Sequence, residues 1–204
     1  MAELSDLQRD ALGELFNLGV GRAARSLSQI VRDEVHLSAP LVSLVRSSTI
    51  ATDLLGSEFK ELSMVSIRFS GPFDAQAILL FPERNALAIV SHMLDPDLLP
   101  EEVSEFEQEA MCEIGNIILN ACISALADEF GVEFHGDLPM HHFNTPGALP
   151  LFDQDDDQVI LVLQIHLAIR QERIKGHLLF LLSVSSLNAL LTYVDGYLSR
   201  LGMQ

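Results

Sequence analysis

Residues 4–40 of this chain align without a gap on residues 103–139, at a constant offset of 99. Ser5 falls on Ser104, Gln8 on Glu107, Glu14 on Glu113, Asn17 on Asn116 and Pro40 on Pro139. The correspondence continues downstream with a few residues inserted. Ala77-Ile78-Leu79-Leu80-Phe81 resembles Gly176-His177-Leu178-Leu179-Phe180, and Asn85-Ala86-Leu87 resembles Asn188-Ala189-Leu190. Each copy of a duplicated unit must bury its apolar face, and its neighbouring copy is the nearest surface available. No low-complexity linker separates the halves. The 204 residues therefore read as one domain of two repeats, about 1–100 and 101–204.

Each repeat reads as a long helix, a connecting strand, two alternating strands and a short closing helix. Ser5-x-x-Gln8 and Ser104-x-x-Glu107 have the form of a capping box, so helices are expected to start there. Leu12, Leu15, Phe16, Val20, Ala23, Leu27 and Ile30 recur at helical spacing, as do Met111, Ile114, Ile118, Ile123, Leu126 and Phe130. Gly131 is a natural stop for the second helix. Residues 64–69 alternate like a half-buried strand, 159–169 form a longer apolar strand, and Gly71-Pro72 marks a turn. Residues 83–95 and 185–200 read as the closing amphipathic helices. The expected fold is α+β: a pseudo-two-fold duplication of two αβ repeats sharing a central, mainly antiparallel sheet. Two long helices are expected to be exposed on one side.

Twelve Lys and Arg oppose 29 Asp and Glu, a net charge of −17. Such a field repels phosphate backbones and anionic lipid, which argues against nucleic acid and membrane surfaces as partners. Cys112 and Cys122 are too few for a disulfide framework and read as small core residues of a helix. The first residues have neither a basic nor an apolar signal region, and unbroken apolar stretches such as 178–182 fall short of the ~20 residues that cross a bilayer. The expectation is a cytoplasmic protein with no membrane insertion.

Asp10, Glu14 and Asn17 stand at i, i+4 and i+7, a stripe turned away from the apolar one. Glu109, Glu113 and Asn116 repeat it in the second helix. Asn is a poor helix-interior residue, because its side chain competes for the backbone. Gly13, Gly19, Gly21 and Gly115 lie close by; Gly is tolerated in a helix where another backbone must come close. A carboxamide takes no proton at neutral pH, so Glu and Asn are not a general-base pair. An amide can, however, hold a water in line for attack beside a phosphoryl group and its metal. A carboxylate one turn away can grip a cation on a partner. No Gly-rich phosphate loop and no basic cluster is present. If a phosphoryl group is involved, its metal and cationic clamp must belong to another protein.

These residues resemble the motif of the CheC/CheX/FliY family of chemotaxis phosphatases: Asp or Ser, three residues, Glu, two residues, Asn, 22 residues, Pro. Asp10, Glu14, Asn17 and Pro40 match it in full; Glu109, Glu113, Asn116 and Pro139 match it with Glu in the first place. Ser124-Ala125-Leu126-Ala127-Asp128 also looks like the family, and two motifs in a chain of this length point to CheC within it. The resemblance implies a hydrolase acting on the aspartyl phosphate of a CheY-like response regulator. It implies Asn17 and Asn116 as the water-positioning residues, Glu14 and Glu113 as their catalytic partners gripping a receiver lysine, and Asp10 and Glu109 as flanking docking positions. It implies no cofactor or metal of the protein's own, Mg²⁺ on the partner receiver, and CheD as a further partner. The chain departs from the pattern at Phe16, where Gly or Ala usually precedes the Asn, and at Asn120, where Gly is common. Two active sites are the expectation. The rival is a non-catalytic adaptor that binds a receiver, CheD or a flagellar switch component with the same helices.

The run Asp153-Gln154-Asp155-Asp156-Asp157 lacks the Gly and distal Glu of a calcium loop and reads as a solvated loop, as does Ser47-Ser48-Thr49. His141 and His142 alternate faces if in a strand and so do not share a metal. His166 and His177 lie in apolar strands and read as satisfied core or lining residues.

Overall fold

The computed structural model describes residues 4–31, 33–46, 61–93, 100–144, 159–169 and 172–203. Among them the elements run α1 (Asp6–Val31), β1 (Val35–Arg46), β2 (Leu62–Ser70), β3 (Ala75–Pro82), α2 (Glu83–Ser91), α3 (Pro100–Phe130), β4 (His135–Gly136), β5 (Met140–Asn144), β6 (Val159–Ile169), β7 (Glu172–Leu182) and α4 (Val184–Arg200).

At the N-terminus of α1 the capping box is closed. The Ser5 N–H donates to Gln8 Oε1 at 3.0 Å, and the Gln8 N–H to Ser5 Oγ at 3.2 Å. The same pattern misleads in the second repeat. Helix α3 begins at Pro100, not Ser104, which puts Glu107 inside the helix. Pro suits a first helical position, having no N–H to leave unsatisfied there. The other end of α3 is as expected: Gly131 takes φ +68°, and the Val132 N–H reaches back to the Ala127 carbonyl at 3.0 Å.

Among the described residues seven strands form one antiparallel sheet, in the order β1-β6-β7-β3-β2-β4 with β5 also on β2. The halves interleave, since the β6–β7 hairpin lies between β1 and β3. At the centre β3 pairs with β7, and Leu79 stands opposite Leu178. These two residues are 99 apart, the offset of the helices, so the pseudo-two-fold axis passes through this pair. The fold is α+β, as expected.

Strand periodicity sorts the core into two layers. Val65, Ile67, Leu79, Phe81, Leu161, Leu163, Leu178 and Phe180 pack with the helices. The alternate residues Leu62, Met64, Ile78, Leu80, Ile160, Val162, Leu179 and Leu181 form a second buried cluster. This corrects the half-buried reading of residues 64–69, because β2 is buried on both faces from Leu62 to Ile67. Residues 106–130 of α3 are long and apolar enough to cross a bilayer by length and composition, yet 56% of that apolar window is buried inside the fold. It is a core helix.

Helices α1 and α3 pack along each other over the first layer. They come into backbone contact at Gly19, where a Cβ would stand 2.6 Å from Cys122 Cα and 3.0 Å from the Ala121 carbonyl oxygen. Only hydrogen fits between the two backbones at that point.

Candidate functional site

Asp10, Glu14 and Asn17 are exposed on α1, while Leu12, Leu15, Phe16, Val20, Ala23 and Leu27 on the other side are buried. Ile30, the last member of the expected apolar stripe, is only half-buried. On α3, Glu109 and Glu113 are exposed and Asn116 is half-buried, with Met111, Ile114, Ile118, Ile123, Leu126 and Phe130 buried. Two neighbouring helices thus each present a carboxylate and a carboxamide one turn, about 4.5 Å, apart.

What lies beneath each carboxamide differs. Phe16 turns inward and meets the Phe180 ring at 5.0 Å, so it fills the core rather than crowding the surface beside Asn17. Its counterpart Gly115 lies against β2, where a Cβ would stand 2.3 Å from Val65 Cγ1. Gly115 therefore lets α3 settle onto the sheet, and Asn116 sits deeper than Asn17.

Asn120, one turn beyond Asn116, donates from Nδ2 to the Asn116 carbonyl at 2.9 Å and to Asn116 Oδ1 at 2.8 Å. The corresponding position in α1 is Gly21. Pro139 accepts a weak bond from the Cys112 thiol at 3.9 Å; Pro40 lies in β1, its side chain outside the described residues.

A polar cluster near the first turns of α3 was not foreseen. Glu107 is 3% exposed and bonds the Ser63 hydroxyl, which also meets His141 Nε2 at 2.7 Å; Glu107 Oε1 has no partner among the described residues. Burial, reinforced by the Glu83 charge and opposed by the Ser63 bond, pushes the Glu107 carboxyl up to about 7. Burial, with the His142 charge, holds the His141 imidazole low. The only signal in the sequence was Glu107 itself, which the capping-box pattern explained away.

A stability effect follows from this carboxyl. Its folded pKa lies above the unfolded value of 4.5, so the native state takes up the proton between 4.5 and about 7. Stability is greatest below that window, falls as pH rises through it, and is lowest above it, by about 2–3 kcal/mol. Glu107→Gln should flatten this decline. Urea midpoints at pH 5 and pH 8 check it: the variant should gain on the natural protein at pH 8 only, and an equal gap at both values would refute the assignment.

The remaining candidates take modest places. Of the core-or-lining expectation, His166 takes the lining place: it is exposed at a cavity with His36, Arg173 and Lys175; His177 is half-buried and burial lowers its pKa. Burial pushes the Cys122 thiol up to about 12, which makes it unreactive, and both cysteines are free. The runs Asp153 to Asp157 and Ser47 to Thr49 lie outside the described residues.

The described residues thus form an α+β domain with a single sheet, whose two long helices, α1 and α3, each carry a Glu/Asn pair. The family model described as "Chemotaxis phosphatase CheX" matches residues 63–161. The CheY-P phosphatase CheC of Bacillus subtilis is 21% identical over 187 residues, spanning 87% of this chain and 89% of that protein. The flagellar motor switch phosphatase FliY of the same organism is 24% identical over 131 residues, 63% of this chain and 33% of FliY, so this chain corresponds to about a third of it. Among solved structures, Thermotoga maritima FliY superposes with a TM-score of 0.78 at 18% identity, covering 95% of this chain and 98% of that one. By these matches the chain is similar to the CheC/CheX/FliY family of chemotaxis phosphatases.

Proposed function

We propose that this protein hydrolyses the aspartyl phosphate of a CheY-like response regulator, with residues 1–204 acting as one CheC-like phosphatase domain of two repeats. The observation that carries this reading is the outward display of two Glu/Asn pairs on adjacent helices. The relatives CheC and FliY of Bacillus subtilis, both phosphatases by name, support it.

Docking brings one helix to the receiver's phosphoryl site. Asn17 or Asn116 enters and accepts a hydrogen bond from a water, which leaves the oxygen lone pair directed at phosphorus. Glu14 or Glu113 bonds a receiver lysine and sets the register, while Asp10 and Glu109 meet the rim. An acyl phosphate is already activated, so fixing the water without a base is sufficient chemistry. The receiver supplies Mg²⁺, which neutralises the developing charge. The net charge of −17 makes local cation contacts on the partner, rather than the overall field, the source of specificity. Such a receiver would place the protein in the cytoplasm, with CheD as a further proposed partner.

The test is the decay of a phosphorylated receiver with this protein at one-tenth of its concentration. Multiple turnovers of faster decay are expected. Tight binding to a beryllofluoride-loaded receiver without faster decay would instead establish the adaptor.

A further inference from the structure

We infer that Asn120 is a positioning residue that holds the second site in a braked state, an inference that rests on the phosphatase reading above. Asn120 Nδ2 reaches Asn116 Oδ1 at 2.8 Å and the Asn116 main-chain carbonyl at 2.9 Å. Both bonds run one turn along α3, so they form within a rigid frame and need no loop to close.

A carboxamide has one acceptor end and one donor end. A water aimed at phosphorus must give a hydrogen to an acceptor and keep a lone pair for the attack. A donor facing that water would engage the very lone pair needed. In the free protein the acceptor end of Asn116 is drawn along the helix toward Asn120. Before Asn116 can hold an attacking water with Oδ1, this bond must be broken or shared.

The first site lacks this particular tie. Four residues beyond Asn17 stands Gly21, which has no side chain to form the tie. The two halves also differ in exposure at this point, Asn17 being exposed and Asn116 half-buried. A Cβ at Gly21 would meet nothing within 4 Å, so a side chain can be installed there without a clash. The duplicated motifs therefore differ at this position: the second carries the Asn tie, which the partner that uses Asn116 must loosen, and the first does not carry this tie.

The experiment isolates each site in the full chain and follows phosphorylated-receiver decay under multiple turnover. In an Asn17→Ala background, where only the second site remains, adding Asn120→Ala should raise kcat three- to tenfold, the population factor carried by one neutral hydrogen bond. KM for the receiver should not change. In an Asn116→Ala background, adding Gly21→Asn should lower kcat at the first site by a similar factor. Asn has the better helix propensity of that pair, and Ala that of the other, so neither added change should lower the melting temperature. An unchanged or reduced kcat for Asn120→Ala in the Asn17→Ala background overturns the brake, whether that background turns over or is silent. Failure of the phosphatase reading looks different: the natural protein itself then leaves receiver decay unaltered. A readout independent of turnover is the Asn116 side-chain amide resonance. It should shift in Asn120→Ala, and an unmoved signal counts against the tie.

Discussion

Replacing Asn17 and Asn116 together by alanine should reduce receiver dephosphorylation at least about a hundredfold, the usual scale for losing a positioned group from a preorganised site. The expectation rests on the division of labour. Each carboxamide stands on a helix whose opposite face is locked in the core, so truncation past Cβ removes a hydrogen-bonding group without opening a cavity. Ala is also the better helix former, and the double variant should therefore melt no lower than the natural protein. The single variants should be unequal, with Asn17→Ala the more costly, because the site it leaves behind is the one tied down by Asn120. Glu14→Ala and Glu113→Ala should raise KM more than they lower kcat, since a lysine grip acts before and during the reaction alike. A double Asn variant that still accelerates decay would remove both amides from the chemistry.

A large stability effect should come from substituting Gly19. A methyl group there would stand 2.6 Å from Cys122 Cα, 3.1 Å from its nitrogen and 3.0 Å from the Ala121 oxygen, all backbone atoms of α3. Backbone cannot rotate aside as a side chain can, so the helices must part. Gly19→Ala should cost about 2 kcal/mol even though Ala favours the helix, and Gly19→Val more. Gly21→Ala, two residues on and facing open space, is the control and should stabilise by about 0.5–1 kcal/mol. Chemical denaturation of the three variants reads this directly, and equal effects at Gly19 and Gly21 would show that the close crossing is not what Gly19 serves. The separation should also reach function, because the contact lies two residues from Asn17 and from Asn120.

Much of this arrangement was legible because it rests on local rules. The Ser5/Gln8 box, the Gly131 stop, the strand at 159–169 and the outward stripe of Glu14 and Asn17 each depend on residues a few positions apart. Periods of 3.6 and 2 translate such spacing into faces without reference to the rest of the chain. The offset of 99 carried further, since it reappears where Leu79 meets Leu178. Local rules failed where a distant element overrode them. Ser104 and Glu107 have the letters of a cap, but Pro100 starts the helix earlier, and Glu107 is drawn under the surface toward Ser63 of β2. His166 reads as core or lining in an apolar strand, and the fold decides for lining: it is exposed at a cavity with His36, Arg173 and Lys175.

What the order of amino acids settled, then, was the identity of the elements, their duplication and the faces that carry the amides. The interleaving of β6 and β7 between β1 and β3, the backbone contact at Gly19 and the elevated carboxyl of Glu107 were decided by folding alone. The reason is physical. Helix and strand faces are fixed by neighbours within a turn or a pleat, whereas strand order, close approach and desolvation depend on which distant surfaces meet, and no spacing along the chain encodes that meeting.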